Sequence, residues 1–355
     1  MKLLLVAGAR PNFMKVAPLL RACSKVPGMQ AKLVHTGQHY DYEMSRTFFE
    51  DFGLPEPDHF LDVRSGTHAE QTARIMIAFE KVCLDEEPDW VVVVGDVNST
   101  LACSVTAKKL RIRVAHVEAG LRSRDMGMPE EINRLVTDSI SDLLFVTEKS
   151  GLSNLAAEGH PSDRVLFVGN VMIDTLFHML ARQVDVAAPA ERYAVVTLHR
   201  PTNVDDPAKL RELLEVLSEI AAVLPVEFPM HPRTRKNVEE AGLDALLARP
   251  GMRVGPPLRY PEFLALWRHA ALVLTDSGGI QEETTVLGIP CFTLRENTER
   301  PITVEEGTNI LVGTSAEAVR SEFARFCAGH VKTGRVPELW DGHAAERIIA
   351  RLADS

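Results

Sequence analysis

Trp90-Val91-Val92-Val93-Val94-Gly95-Asp96 opens the stretch that decides the fold. Five apolar residues run into a glycine turn, a helical pattern follows over 99–110, and a second apolar run over 114–117 leads into Glu118-Ala119-Gly120. Apolar runs without polar alternation read as strands covered on both faces. Strand, helix and strand in succession make a βαβ unit, and such units build a parallel sheet. Working outward, strands are expected over 3–7, 31–36, 143–147 and 165–168. Helices are expected over 11–24, 42–52, 69–84, 130–141 and 149–158. The alternation then recurs, with strands over 195–198, 226–230, 252–254, 272–275, 291–294 and 310–312. Helices between them fall over 207–223, 234–248, 260–269, 279–287 and 315–327. A helix over 173–183 and an Ala-rich stretch over 184–191 read as the link between the halves.

The chain has 355 residues, 45% hydrophobic and 25% charged, with a net charge of −10. This is the profile of a globular enzyme of two domains rather than a disordered chain or a basic nucleic-acid binder. No apolar run reaches the roughly 18–20 residues that span a bilayer. Cys23, Cys83, Cys103, Cys291 and Cys327 are odd in number and widely spaced, which argues against disulfide frameworks and zinc knuckles. The first residues read as a strand rather than a signal peptide, and a cytoplasmic protein is expected.

In doubly wound sheets, ligands sit beyond the carboxyl ends of the strands. Gly8-Ala9-Arg10-Pro11-Asn12 follows the first strand and places Arg10 at a helix start, a natural anion site within reach of Lys15. Neither a G-x-G-x-x-G nor a Walker A loop occurs, so no dinucleotide or ATP site is indicated. Asp96 and Glu118 fall at the same end of neighbouring strands. Asp96 also reads as a helix N-cap, whereas an apolar strand ending in an acid such as Glu118 needs a partner. Glu130 and Arg134, at the start of the next helix, read on these grounds alone as dipole compensation. His199-Arg200 and His231 end two strands of the second half, and suit a phosphate clamp, a proton carrier or a cap equally. Thr275-Asp276-Ser277-Gly278-Gly279-Ile280-Gln281-Glu282-Glu283 turns a strand directly into a helix. Ser277, Gly278 and Gly279 there offer a hydroxyl and open backbone amides to a phosphate, and Arg300 adds a cation.

These residues carry a resemblance. The Gly8-x-Arg10-Pro11 start with Lys15, Gly95-Asp96, His116-Val117-Glu118-Ala119-Gly120-Leu121-Arg122 and Pro129-Glu130-Glu131-x-Asn133-Arg134 match one pattern in order. His199-Arg200, the 275–283 run and Thr298-Glu299-Arg300-Pro301 continue it. The chain resembles the non-hydrolysing UDP-N-acetylglucosamine 2-epimerases over nearly its whole length. The resemblance implies an α/β protein of the GT-B fold, with two Rossmann-like doubly wound parallel-sheet domains facing a cleft. An N-terminal domain over 1–170 and a C-terminal UDP-binding domain over 171–342 are expected, with a final helix over 343–355 packing back on the first.

The resemblance also implies chemistry. UDP leaves C1 while the C2 proton is lost, giving a 2-acetamidoglucal, and UDP then adds back with the proton delivered to the other face. UDP-GlcNAc thereby becomes UDP-ManNAc, without nicotinamide or metal. Asp96, Glu118, Glu130 and His199 become catalytic candidates. Arg10, Lys15, Arg134, Phe263, Ser277, Gly278, Gly279, Glu283 and Arg300 become ligands of the UDP-sugar, with Phe263 near the uracil and Glu283 on the ribose. Gln38, Arg64, Arg200 and His231, together with Glu130, match positions tied in some bacterial members to a second, activating UDP-GlcNAc; Asp41 and Ser65 do not. A homodimer and a role in surface polysaccharide formation are implied as well. Departures from the pattern are Ala9 for Thr, Asn12 for Glu, Pro201 for a second Arg and Leu258 for Gln. Competing readings are a UDP-sugar glycosyltransferase, a hydrolysing epimerase and a nucleotide-sugar sensor without turnover; a mere binder of an anion gains nothing from three added acids.

Overall fold

A computed structural model describes residues 1–37, 49–182 and 189–355, apart from the Arg10 side chain. Gln38 and Asp41, most of the helix expected over 42–52 and residues 183–188 of the expected link lie outside the described residues. The chain divides into two compact units, Met1–Ala181 with Glu338–Ser355, and Arg182–Pro337. Among the described residues no helix is long and apolar enough to cross a membrane.

The first unit is built on β1 (Lys2–Ala7), β2 (Gln30–His35), β3 (His59–Phe60), β4 (Trp90–Val94), β5 (Arg113–Ala119), β6 (Leu143–Val146) and β7 (Val165–Phe167). They lie in the order β3-β2-β1-β4-β5-β6-β7, and neighbours are parallel. All five residues of β4 are buried, as a central strand with covered faces requires. Ile75, Phe79, Val82 and Cys83 of the His68–Glu86 helix and Ala102 and Cys103 of the Asn98–Lys109 helix close one core over Leu4, Val91 and Val93. The Arg10–Cys23 helix packs against the Val171–Ala181 and Ala344–Ala353 helices. The order of strands reverses between β1 and β4. Doubly wound sheets place ligands at such a switch point.

The second unit repeats the plan with β8 (Ala194–Thr197), β9 (Val226–Pro229), β10 (Met252–Gly255), β11 (Leu272–Thr275), β12 (Cys291–Thr293) and β13 (Asn309–Leu311). The order is β10-β9-β8-β11-β12-β13, again parallel, with the switch between β8 and β11. Val196, Leu214, Leu217, Phe228, Leu274 and Phe292 belong to its core. These sheets are the two doubly wound layers of a GT-B protein.

The structure corrects two elements of the sequence reading and adds several short ones, the helices Pro201–Val204 and Pro301–Glu305 and the strand β3 among them. The helix expected over 234–248 is two, Pro232–Glu240 and Asp244–Leu247. Gly242 takes φ 63°, and the Leu243 amide returns to the Val238 carbonyl at 3.0 Å, a Schellman closure that stops the first helix. The helix expected over 173–183 spans Val171–Ala181 and belongs to the first unit, because its buried face (Met172, Ile173, Leu176 and Met179) packs there. The short β3, which pairs with Val34 and His35, is too brief to show a period in the sequence.

Candidate active site

At the switch point of the first unit, Asn12 ties the end of β1 to the end of β4. Its side-chain oxygen accepts the Gly8 and Ala9 amides at 3.1 and 2.9 Å, and its amide donates to the Val94 carbonyl at 3.1 Å. Lys15, one turn further along the same helix, is buried and forms an ion pair with Glu118. Gly95 makes room for that pair: a Cβ there would lie 2.9 Å from the Lys15 Nζ. Glu118 itself takes φ 75° in β5, where the register with β6 shifts. Asp96 follows β4 and is half-buried; its Oδ2 lies 2.5 Å from the Arg134 guanidinium. Arg134 is held in turn by Glu131, at 2.9 Å. Burial alone raises the Glu131 carboxyl, but the Ser123 and Arg124 amides and the Arg134 charge outweigh it and hold it below the usual carboxylate range. Glu130 opens the same helix half-buried and makes no hydrogen bond or ion pair among the described residues.

At the switch point of the second unit, Asp276 is fully buried directly after β11. It accepts the His199 and Arg200 amides at 3.0 and 2.9 Å and the Asn203 side chain at 3.2 Å. His199 Nδ1 lies 3.0 Å from its Oδ1. Burial pushes the Asp276 carboxyl up; His199 and the two amides outweigh it and leave it low. The His231 ring sits 5.7 Å from the His199 ring, so the adjacent strands β8 and β9 bring the two imidazoles together. Ser277 precedes the Gly278–Leu287 helix without capping it by its side chain. The Arg300 guanidinium stands over that turn, 3.0 Å from where a Gly278 Cβ would be, and pairs with Glu282 at 2.7 Å. Arg200 lies near the same cations: burial, and then Arg295 beside it, lower its pKa. Glu283 is buried and accepts the Tyr260 hydroxyl at 2.5 Å. Burial pushes it up to about 8, against the Tyr260 hydrogen bond and with the help of the Glu282 charge. Phe263, half-buried, follows Tyr260 by about one turn in the Tyr260–Trp267 helix.

Each unit thus gathers chemistry-bearing side chains at one strand switch, acids paired with cations in the first, and imidazoles, a glycine turn and arginines in the second. The family model described as UDP-N-acetylglucosamine 2-epimerase matches residues 21–353. The chain belongs to the UDP-N-acetylglucosamine 2-epimerase family. The enzyme of that name from Methanocaldococcus jannaschii is 44% identical over 89% of this chain and 90% of its own. The UDP-2,3-diacetamido-2,3-dideoxy-D-glucuronate 2-epimerase of Pseudomonas aeruginosa is 41% identical over 99% of both. The crystal structure of the M. jannaschii UDP-GlcNAc 2-epimerase in complex with UDP-GlcNAc and UDP matches with a TM-score of 0.89 at 41% identity, covering 100% of both chains.

Within this 2-epimerase, the structure brings together Lys15 with Glu118, Asp96 with Arg134, and Ser277, Gly278 and Gly279 with Arg300. Arg64 lies on an exposed loop of the first unit, 3.6 Å from Asp62. The sequence reading assigned no part to Asp276, Glu131, Arg295, Tyr260 or Asp138. Asp276 was within reach, since it follows a strand as Asp96 does, and so was Glu131, one helical turn from Arg134; Arg295 beside Arg200, Tyr260 and Asp138 depend on contacts between distant segments. Asn12, read as a departure from the family pattern, is a brace for the first loop.

Proposed function

We propose that the protein inverts C2 of a UDP-2-acetamido sugar, interconverting UDP-GlcNAc and UDP-ManNAc. The C2 hydrogen is not adjacent to a carbonyl and becomes acidic only as the C1–O bond breaks. UDP departs with the bonding pair and the C2 proton goes to a base, leaving a C1–C2 double bond. UDP then re-adds at C1, and a proton reaches C2 on the opposite face. In this reading the second unit holds the nucleotide and the first supplies the acids. Arg10, the Gly278 and Gly279 amides, Ser277, Arg300 and His199 stabilise the departing diphosphate. Phe263 and Glu283 meet the uridine. Asp96, Glu118 and Glu130 stabilise the cationic sugar and carry protons. The observation that carries the reading is the convergence of Asp96 and Glu118 at adjacent strand ends, each held by its own cation.

A second substrate is favoured by the P. aeruginosa relative, which acts, by its name, on UDP-2,3-diacetamido-2,3-dideoxy-D-glucuronate. The C2 chemistry is the same, and only substituents elsewhere on the sugar differ. Incubating the protein with each nucleotide sugar in D2O and following C2 by NMR tests both. Deuterium at C2 with the 2-epimer present at equilibrium supports the reading. Release of free sugar indicates hydrolysis, and a bound but unchanged substrate indicates a sensor or a transferase. We further propose a homodimer, and an activating second nucleotide sugar on Gln38, Arg64, Arg200 and His231; hyperbolic rate curves with one nucleotide bound per chain would remove the second idea.

A further inference from the structure

Glu118 does not hold itself in place. A non-glycine residue keeps a positive φ such as its 75° only where the surroundings over-determine it. Besides the Lys15 ion pair, one side chain of the Pro129–Ile140 helix, the fully buried Asp138, holds both flanks of this residue. Its Oδ1 lies 2.6 Å from His116 Nδ1, two residues before Glu118, and its Oδ2 accepts the Gly120 amide at 3.0 Å, two residues after. His116 Nε2 lies 2.8 Å from the Gly95 carbonyl oxygen, the peptide group that leads into Asp96. A carbonyl only accepts, so that nitrogen donates. The Gly95 amide closes the loop on the Val117 carbonyl at 3.1 Å. One carboxylate therefore grips both flanks of Glu118 and, through His116, the end of β4. Arg122, 2.7 Å from Oδ2 and shared with Glu158, supplies countercharge. Burial raises the Asp138 carboxyl, and His116 and Arg122 outweigh it and keep it ionised. Glu131, Arg134 and Asp138 recur at helical spacing, so the helix face that pairs with Asp96 also grips Glu118.

We propose that Asp138, acting through His116 and the Gly120 amide, is a positioning residue that sets the placement of Glu118 relative to Asp96. It touches no substrate, and its role in turnover rests on the proposed C2 reaction. Asp138→Asn preserves the geometry: its amide donates to a neutral His116 Nδ1, and its oxygen still accepts from Gly120. Asp138→Ala removes both contacts. Three readouts separate the variants, namely deuterium uptake at C2 of UDP-GlcNAc, UDP affinity by calorimetry, and amide exchange of residues 116–122 by mass spectrometry. The alanine variant is expected to lose kcat by about 100-fold while KM and UDP affinity stay within about threefold. Its 116–122 amides exchange at least about tenfold faster. The asparagine variant stays within about fivefold of the parent on all three. A folded alanine variant with native protection and near-native kcat overturns the proposal. So does an asparagine variant as impaired as alanine with protection intact, because charge would then be the cause. Where alanine does not fold, His116→Asn replaces it: the shorter amide still meets Asp138 and no longer reaches Gly95, and the same loss is expected. Parent protein that takes up no deuterium refutes the reaction, and the exchange pattern then decides alone whether Asp138 holds the segment.

Discussion

Lys15 and Glu118 form a buried pair, and removing one partner of such a pair is strongly destabilising. Lys15→Met takes the Lys15 charge away from a buried carboxylate and is expected to cost about 3 kcal/mol in urea unfolding. Adding Glu118→Gln in the same chain restores most of that stability and none of the activity, a coupling that a double-mutant cycle reads directly. Glu118→Gln alone is expected to abolish deuterium uptake at C2 and to leave UDP binding within about threefold, since the role proposed for Glu118 is on the sugar and not on the nucleotide. An active Glu118→Gln enzyme removes the role assigned to it. Glu283 gives a test in pH. Its folded pKa near 8 stands above its ordinary 4.5, so the folded protein holds a proton that the unfolded chain releases. That contribution is complete below about pH 4.5 and is lost as pH rises through about 8. The melting temperature of the parent should therefore fall between pH 5 and 8, and Glu283→Gln should flatten the fall; an unchanged slope assigns it to other groups.

At the scale of elements, the loop after β5 and the Lys149–Ala157 helix meet backbone to backbone. A Cβ on Gly120 would lie 2.6 Å from the Gly151 carbonyl oxygen, and one on Gly151 would lie 2.7 Å from a Val146 methyl. Gly151→Ala is expected to cost about 2 kcal/mol and to lower kcat with it, because the strain falls on the segment that carries Glu118. Chemical denaturation and the C2 exchange assay measure both; full activity at reduced stability would uncouple the loop from the chemistry. The elements themselves were legible in the sequence because parallel strands such as Val91–Val94 are short runs of β-branched residues ended by a turn, whereas the apolar run Ile75–Phe79 sits inside a longer helical period. The break at Gly242 escaped because a single glycine within a helical period is tolerated as often as it terminates. At the candidate site, residues could be placed at strand ends by position, as Asp96, His199 and Ser277 were. Partners from other segments could not. Lys15 read as an anion ligand and is the counter-ion of an acid. Asp138 read as one polar residue in a helix because its contacts lie on a strand and a loop that only the fold brings near.

For the molecule as a whole, the first unit is discontinuous: residues Glu338–Ser355 complete it. The Ala344–Ala353 helix buries Ile348, Ile349 and Leu352 there, and its first amides, Ala344 and Ala345, donate to Asp174 at 3.1 and 2.7 Å. Trp340 adds a hydrogen bond to the Thr147 carbonyl at 2.9 Å. Burying three large aliphatic side chains is worth about 5 kcal/mol or more, close to the whole stability of an average domain. A chain ending at Pro337 should therefore lose the cooperative unfolding of the first unit, whereas residues 182–337 alone, which are continuous, should melt as one transition and retain UDP. Calorimetry on the two fragments distinguishes them, and a truncated chain with both transitions intact would contradict the account. The same returning segment has a consequence for biosynthesis. A ribosome releases the middle of this polypeptide while the opening sheet still lacks its closing piece, so the second unit, which is continuous, can mature first. The first unit waits, with apolar surface uncovered, until residues 338–355 are made, and that interval is when a chaperone has the most to bind.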